Sequence, residues 1–172
     1  IEPLQVRPAG DGERRSGTSV RVWPDPKYFE SAAIPMADLV HLLRSKAVLM
    51  PGVTVSLANE KTRETQTWLY KGGLRDYLTQ ALNSEPVIPL FEGESFADSG
   101  HESFAEGEGA QWCVAFTEDG QPLRESYVNL IPTSAGGTHD SGLRDGLFNA
   151  VKSFIELHAL LPKGVKLLPE DV

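Results

Sequence analysis

Met36, Leu39, Val40, Leu43, Ala47 and Met50 recur at helical spacing. A stripe of that period predicts an amphipathic helix, with Pro35 suited to its first turn and Pro51-Gly52 stopping it. The pattern then changes period. Val53, Val55 and Leu57 alternate with Thr54 and Ser56, as a half-buried strand does, and a polar turn at 59–63 leads to a second run at 65–70. Together these predict a hairpin. Gly72-Gly73 interrupts again, and Leu74, Tyr77, Leu78, Ala81 and Leu82 then line one face of a short helix. Nearer the start, Val20, Val22 and Trp23 predict a short strand that Pro24 and Pro26 end.

The second half opens on a polar stretch. Between 84 and 109 stand Glu92, Glu94, Asp98, Glu102, Glu106 and Glu108 with no Lys or Arg, interleaved with Gly and Ser, which predicts a mobile, solvated loop. His101 adds a potential ligand, yet the carboxylates follow no cation-loop spacing, so the solvated loop is the preferred reading and no metal site is assigned. Ala110, Trp112, Val114 and Phe116 then alternate, Asp119-Gly120 suits a tight turn, and the chain returns at 123–130. A second hairpin is expected there. Leu143, Leu147, Ala150, Val151, Phe154 and His158 mark a long helix, with the first five on its buried face. The sum is an α+β protein.

Composition narrows the classes. A chain of 172 residues with 40% hydrophobic and 23% charged residues can bury a core, as one domain or two small ones. No apolar run approaches a membrane span, which argues against a membrane protein. The single cysteine, Cys113, suits a reducing compartment, so the cytoplasm is expected; its place in an alternating run marks a core thiol. A net charge of −8 confines any nucleic-acid contact to a local patch.

"NLIPTSAGGTHDSGLRDGL", residues 129–147, is the stretch that does not read as ordinary scaffold. Glycines ahead of a helix let backbone N–H groups approach an anion, and the helix dipole favours negative charge there. The stretch lacks the lysine and hydroxyl pair of a phosphate-binding loop, and its spacing is not that of a dinucleotide fingerprint. The residues alone favour a turn, with Gly136 and Gly137 supplying it and Thr138 or Asp140 as N-cap. His139 has no second histidine at ligand spacing and reads as a capping or packing residue. His41 and His158, on their helices, suggest no partner.

Four strings carry a resemblance: "GTSVRVWPD" (17–25), "YKGGLRDYL" (70–78), "ESYVNLIPTSAGGTHDSGLRDGL" (125–147) and "LPKGVKLLPEDV" (161–172). In this order and spacing they resemble the ATPase subunit of bacterial type IIA topoisomerases, the topoisomerase IV type ahead of the gyrase type. The resemblance implies two pieces. Residues 1–73 would be the last part of a GHKL ATP-binding domain, and 74–172 most of a transducer domain, a two-layer α/β sandwich similar to domain 2 of ribosomal protein S5. Both ends would then be cut.

It also implies roles. Thr18 in "GTSV" would help hold the adenine of ATP, with Val20 lining the same pocket. The general-base glutamate, the Mg2+-binding asparagine and the glycine-rich lid would precede residue 1, and a switch lysine would follow residue 172, so no catalytic residue is expected here. The fragment alone would be inactive. Gly136, Gly137, Thr138 and His139 would form the hinge and helix start of the transducer, and Arg144, with Lys152, would face captured DNA. The bland alternative for Arg144 is a surface ion pair with Asp140 or Asp145. The implied partners are DNA, the separate DNA-cleaving subunit of the topoisomerase and a second copy in a homodimer. Another GHKL ATPase and a non-enzymatic S5-like nucleic-acid module remain the rival classes, the latter disfavoured by the acidic balance.

Overall fold

The computed structural model describes residues 16–118 and 122–172, in two units divided between Pro35 and Met36. In the first unit, residues 16–35 form no helix or strand, so the strand expected at Val20, Val22 and Trp23 is absent. Val20 and Trp23 are 77% and 69% exposed, and alternation without a partner strand leaves the chain extended only. Local contacts shape the segment instead. Asp25 accepts from the Lys27 and Tyr28 amides, and Arg21 lies over the Trp23 ring.

The second unit begins with helix α1, Met36–Leu49, which has Asp38 in its first turn and Lys46 in its last, complementing the helix dipole. Gly52 follows at φ +84°, and its amide returns to the Tyr70 carbonyl. Strands β1 (Val55–Asn59) and β2 (Glu64–Trp68) pair antiparallel from Val55↔Trp68 to Asn59↔Glu64, the hairpin the alternation predicts. Its turn is built by the Asn59 side chain, which accepts from the Lys61 and Thr62 amides. Helix α2, Gly73–Ala81, starts where Asp76 accepts from the Gly72 amide at 2.6 Å. The core sits between these elements. Ala47 and Val48 of α1 pack with Tyr70 and Tyr77, flanked by Val55, Trp68, Leu74 and Ala81, and the two tyrosine rings meet edge to face.

The acidic stretch departs from expectation. Phe91–Phe96 is strand β3, paired antiparallel with β4 (Gly109–Val114) from Phe91↔Val114 to Phe96↔Gly109. The period-2 alternation in FEGESF is genuine: Glu92 and Glu94 share one face and find partners there, Arg75 at 2.6 Å and Gln111 at 2.7 Å. Gly93 lies opposite Trp112, where an added Cβ would come within 2.6 Å of the indole. Composition alone hid that fit. The 97–108 connection is closed by its own bonds, with the Ala97 amide on the Glu108 carbonyl and His101 Nδ1 accepting from the Ser103 and Phe104 amides.

The second expected hairpin is corrected accordingly. β4 pairs with β3 and not with 123–130, and the turn expected at Asp119-Gly120 lies outside the described residues. In its place, β5 (Tyr127–Val128) pairs with β6 (Ile131–Pro132) about Asn129 and Leu130, both at positive φ. That is the backbone of a type I′ turn, achieved without the Asn-Gly pair that would announce it. Helix α3 runs Thr138–Leu157.

Candidate functional site: the glycine loop and the start of α3

Three consecutive side chains ahead of β5 each tie a different element. Arg124 forks onto Asp140 in the first turn of α3, Nε donating to Oδ1 at 2.8 Å and Nη2 to Oδ2. Glu125 accepts from the Tyr77 hydroxyl of α2 at 2.6 Å and from the Tyr127 hydroxyl of β5 through its other oxygen. Ser126 donates to the Thr133 carbonyl at 3.1 Å and lies 2.6 Å from the Thr133 hydroxyl. The chain of contacts continues to His139, whose Nε2 stands 3.2 Å from that hydroxyl. With Ser126 engaged on the carbonyl, Thr133 donates to Ser126 and the imidazole N–H donates to Thr133.

Helix α1 closes the other side. The Arg44 guanidinium lies over the Tyr77 ring at 5.3 Å, and Lys46 donates to the Leu130 carbonyl in the β5–β6 turn. Between these elements is a polar cavity of about 500 Å3, lined by His41, Arg124, Ser126, Thr133 and Gly136 among others.

The two glycines of the loop do different things. Gly136 sits at φ +73°, a conformation that disfavours any side chain, and its amide bonds the Thr133 carbonyl. Gly137 is extended, so its backbone suits any residue. What it lacks is room: a Cβ there would fall 2.8 Å from Cε1 of His139. The expected N-caps need correction. Gly137 precedes the helix and no side chain caps it, because Thr138 is already helical and Asp140 turns to Arg124. His139 is exposed, with Nε2 near the Thr133 hydroxyl and its ring over Gly137.

Charges follow the geometry. Asp140 is 9% exposed, and the Arg124 hydrogen bonds hold its carboxyl below the usual carboxylate range, with Arg144 and His139 adding to the pull. Arg124 is pushed up by the same bonds. Burial, then the Glu125 contact, pushes the Tyr77 hydroxyl up to about 12, and the Tyr127 hydroxyl moves in the same direction for the same reasons. The half-buried Cys113 thiol is raised chiefly by desolvation, as befits a packed thiol.

The face of α3 that turns inward is also corrected. Leu147, Phe148, Val151 and Ile155 are half-buried, whereas Leu143, Ala150 and Phe154 are exposed, Phe154 by 58%. Asp140, Leu147 and Val151 stand i, i+7 and i+11 along one stripe, so the Arg124–Asp140 pair lies on the inward face. Arg144 stands one turn after Asp140, i+4 along the helix, and its side chain is exposed. The alternative for Arg144 was an ion pair with Asp140 or Asp145; the structure pairs Asp140 with Arg124. Lys152 is exposed and 4.0 Å from Glu156. Thr18 and Val20 are exposed in the first unit. Sequence reasoning placed Arg124, Glu125 and Ser126 in the returning strand of a hairpin and gave them no role, because their partners Asp140, Tyr77 and Thr133 are distant in the pattern. Among the described residues no group of three or more His, Cys, Asp or Glu converges, and no helix is long and apolar enough to cross a membrane.

Comparison with known proteins gives the same family as the four strings. A family model described as DNA gyrase B matches residues 73–172. The chain is 47% identical over 164 residues to the B subunit of DNA topoisomerase 4 from Pseudomonas aeruginosa, covering 94% of this chain and 25% of the relative. Identity to the protein of that name in Escherichia coli is 43% over 164 residues, with the same coverage of each. The topoisomerase IV ATP-binding domain of Francisella tularensis, solved with a small-molecule inhibitor, aligns at a TM-score of 0.54 and 31% identity, over 87% of this chain and 38% of that one. This chain belongs to the DNA gyrase B family, and its mixed helix and strand architecture is α+β. It spans about a quarter of the length of the relatives it matches.

Proposed function

We propose that this chain is the stretch of an ATP-hydrolysing topoisomerase IV subunit that joins its ATP-binding domain to its transducer. Residues 1–73 are the last part of the GHKL domain and 74–172 the S5-like transducer. In the complete cytoplasmic protein, ATP binding closes a homodimeric gate on a DNA duplex, and this stretch relays the nucleotide state to the DNA-cleaving partner. Identity of 43–47% across 94% of the chain to proteins named as the B subunit of topoisomerase 4 carries the reading. The match that begins at residue 73 supports the domain boundary. The B subunit of DNA gyrase is the second reading, favoured by the description of the matching family and by 33% identity to the Haloferax volcanii protein of that name.

ATP is the proposed cofactor, supported by the ATP-binding description of the Francisella neighbour. Thr18 offers a hydroxyl for the adenine edge and Val20 an apolar wall; both are exposed, so the rest of the pocket comes from elsewhere in the complete protein. The Mg2+ that accompanies the nucleotide likewise takes its ligands from outside this chain. Arg144 faces DNA, with Lys152 one further charge on the same helix, partly offset by Glu156.

The test uses the complete protein with its cleaving partner. Topoisomerase IV separates linked DNA circles, whereas gyrase introduces negative supercoils in an ATP-dependent way; failure to do either with ATP overturns both readings. Arg144→Gln should lower the ratio of ATP turnover with plasmid DNA to turnover without it. It should also reduce the salt slope of DNA binding by about one counterion. If ratio and slope both match wild type, Arg144 is a solvated surface charge.

A further inference from the structure

We infer that Arg124, Glu125 and Ser126 form a clasp that positions the first turn of α3, and with it Arg144, through the ion pair of Arg124 with Asp140. The inference rests on the reading of Arg144 as a DNA contact. Neither residue of the pair touches DNA; both act on Arg144 from below.

The geometry is specific. Asp140 is the buried carboxylate of the glycine-loop region, and Arg144 lies one turn further along the same stripe. Without Arg124, the Asp140 carboxylate would be left with Arg144, the partner that helical spacing offers it. Arg144 would then fold down onto Asp140 and leave the outward position. Arg124 prevents this by occupying both carboxylate oxygens. Gly136 makes the fork accessible, since a Cβ there would stand 3.3 Å from both the Arg124 guanidinium and Asp140 Oδ2. The neighbouring residues hold Arg124 in place: Glu125 is fixed by two tyrosines and Ser126 by Thr133. α3 makes only slight contact with the other helices and strands, and the Arg124–Asp140 pair ties its first turn to the preceding loop.

The experiment compares Arg124→Gln, Asp140→Asn and the double variant with Arg144→Gln, all in the complete protein bound to its cleaving partner. Two quantities are read: amide hydrogen exchange of residues 136–141, and the ratio of ATP turnover with plasmid DNA to turnover without it. Arg124→Gln should speed exchange about tenfold and lower the ratio about threefold while basal turnover holds. Because Arg144 has no carboxylate to fold onto once Asp140 is Asn, the double variant should recover part of the ratio that Arg124→Gln loses. Faster exchange with an unchanged ratio makes the clasp purely structural and overturns the inference, and so does no change in either quantity. A double variant no better than Arg124→Gln overturns it as well, since Arg124 would then act without Asp140. Failure of the underlying DNA reading has a separate signature, a normal ratio in Arg144→Gln.

Discussion

The imidazole of His139 folds back over Gly137, so that a Cβ on the glycine would lie 2.8 Å from Cε1 and 2.9 Å from Nδ1. Gly137 is therefore needed for space and Gly136, at φ +73°, for conformation. Gly136→Ala should destabilise by about 1 kcal/mol whatever stands at 139. Gly137→Ala should displace the imidazole from Thr133, and its cost should fall to within about 0.5 kcal/mol when His139 is already alanine. Denaturant unfolding of the single and double variants reads both effects. An equal cost of Gly137→Ala in the two backgrounds would place the obstacle elsewhere.

The hydroxyl of Tyr77 is raised to about 12 by burial and by the Glu125 carboxylate. A group whose folded value is raised contributes stability fully below its ordinary value, 10.0, and loses that contribution as pH climbs toward about 12. Stability should thus decline through that alkaline window. Glu125→Gln should bring phenolate formation, followed by ultraviolet absorbance, to lower pH for both Tyr77 and Tyr127. A titration curve that does not move on Glu125→Gln would leave burial as the sole cause.

Val48 is 1% exposed at the centre of the cluster with Ala47, Tyr70 and Tyr77. Val48→Ala removes buried methyl groups and should cost about 2 kcal/mol. Leu157, 80% exposed at the end of α3, provides the contrast: Leu157→Ala should stay within about 0.5 kcal/mol of the parent. Comparable losses at the two positions would mean that the core is not centred on α1.

The elements legible in the sequence were those whose period and boundaries agreed. α1 had a continuous apolar stripe between Pro35 and Pro51-Gly52, and β1–β2 had alternation on both sides of a polar turn. The glycine loop was legible as the start of α3. β3 was not, because its alternating positions carry Glu92 and Glu94, whose charges read as solvated until Arg75 and Gln111 are placed beside them. The inward face of α3 escaped for a related reason. Apolar residues occur on two adjoining stripes of that helix, and the inward one also carries Asp140, paired with Arg124. Periodicity ranks apolar positions and gives no weight to an ion pair formed 16 residues apart.

Helix α1 is bonded on two sides to segments synthesised at very different times. Its apolar partner Tyr77 follows Ala47 by 30 residues, while the Leu130 carbonyl that Lys46 holds follows by 84. At translation rates of about 5–20 residues per second, the first partner is made roughly 2 to 6 s after α1 and the second roughly 4 to 17 s after it. The core is thus complete on the nascent chain before the clasp exists. A pause in translation between 78 and 124 would leave α1 docked by Ala47, Val48 and the Arg44–Tyr77 contact, with Lys46 still in water and the ground for α3 not yet laid.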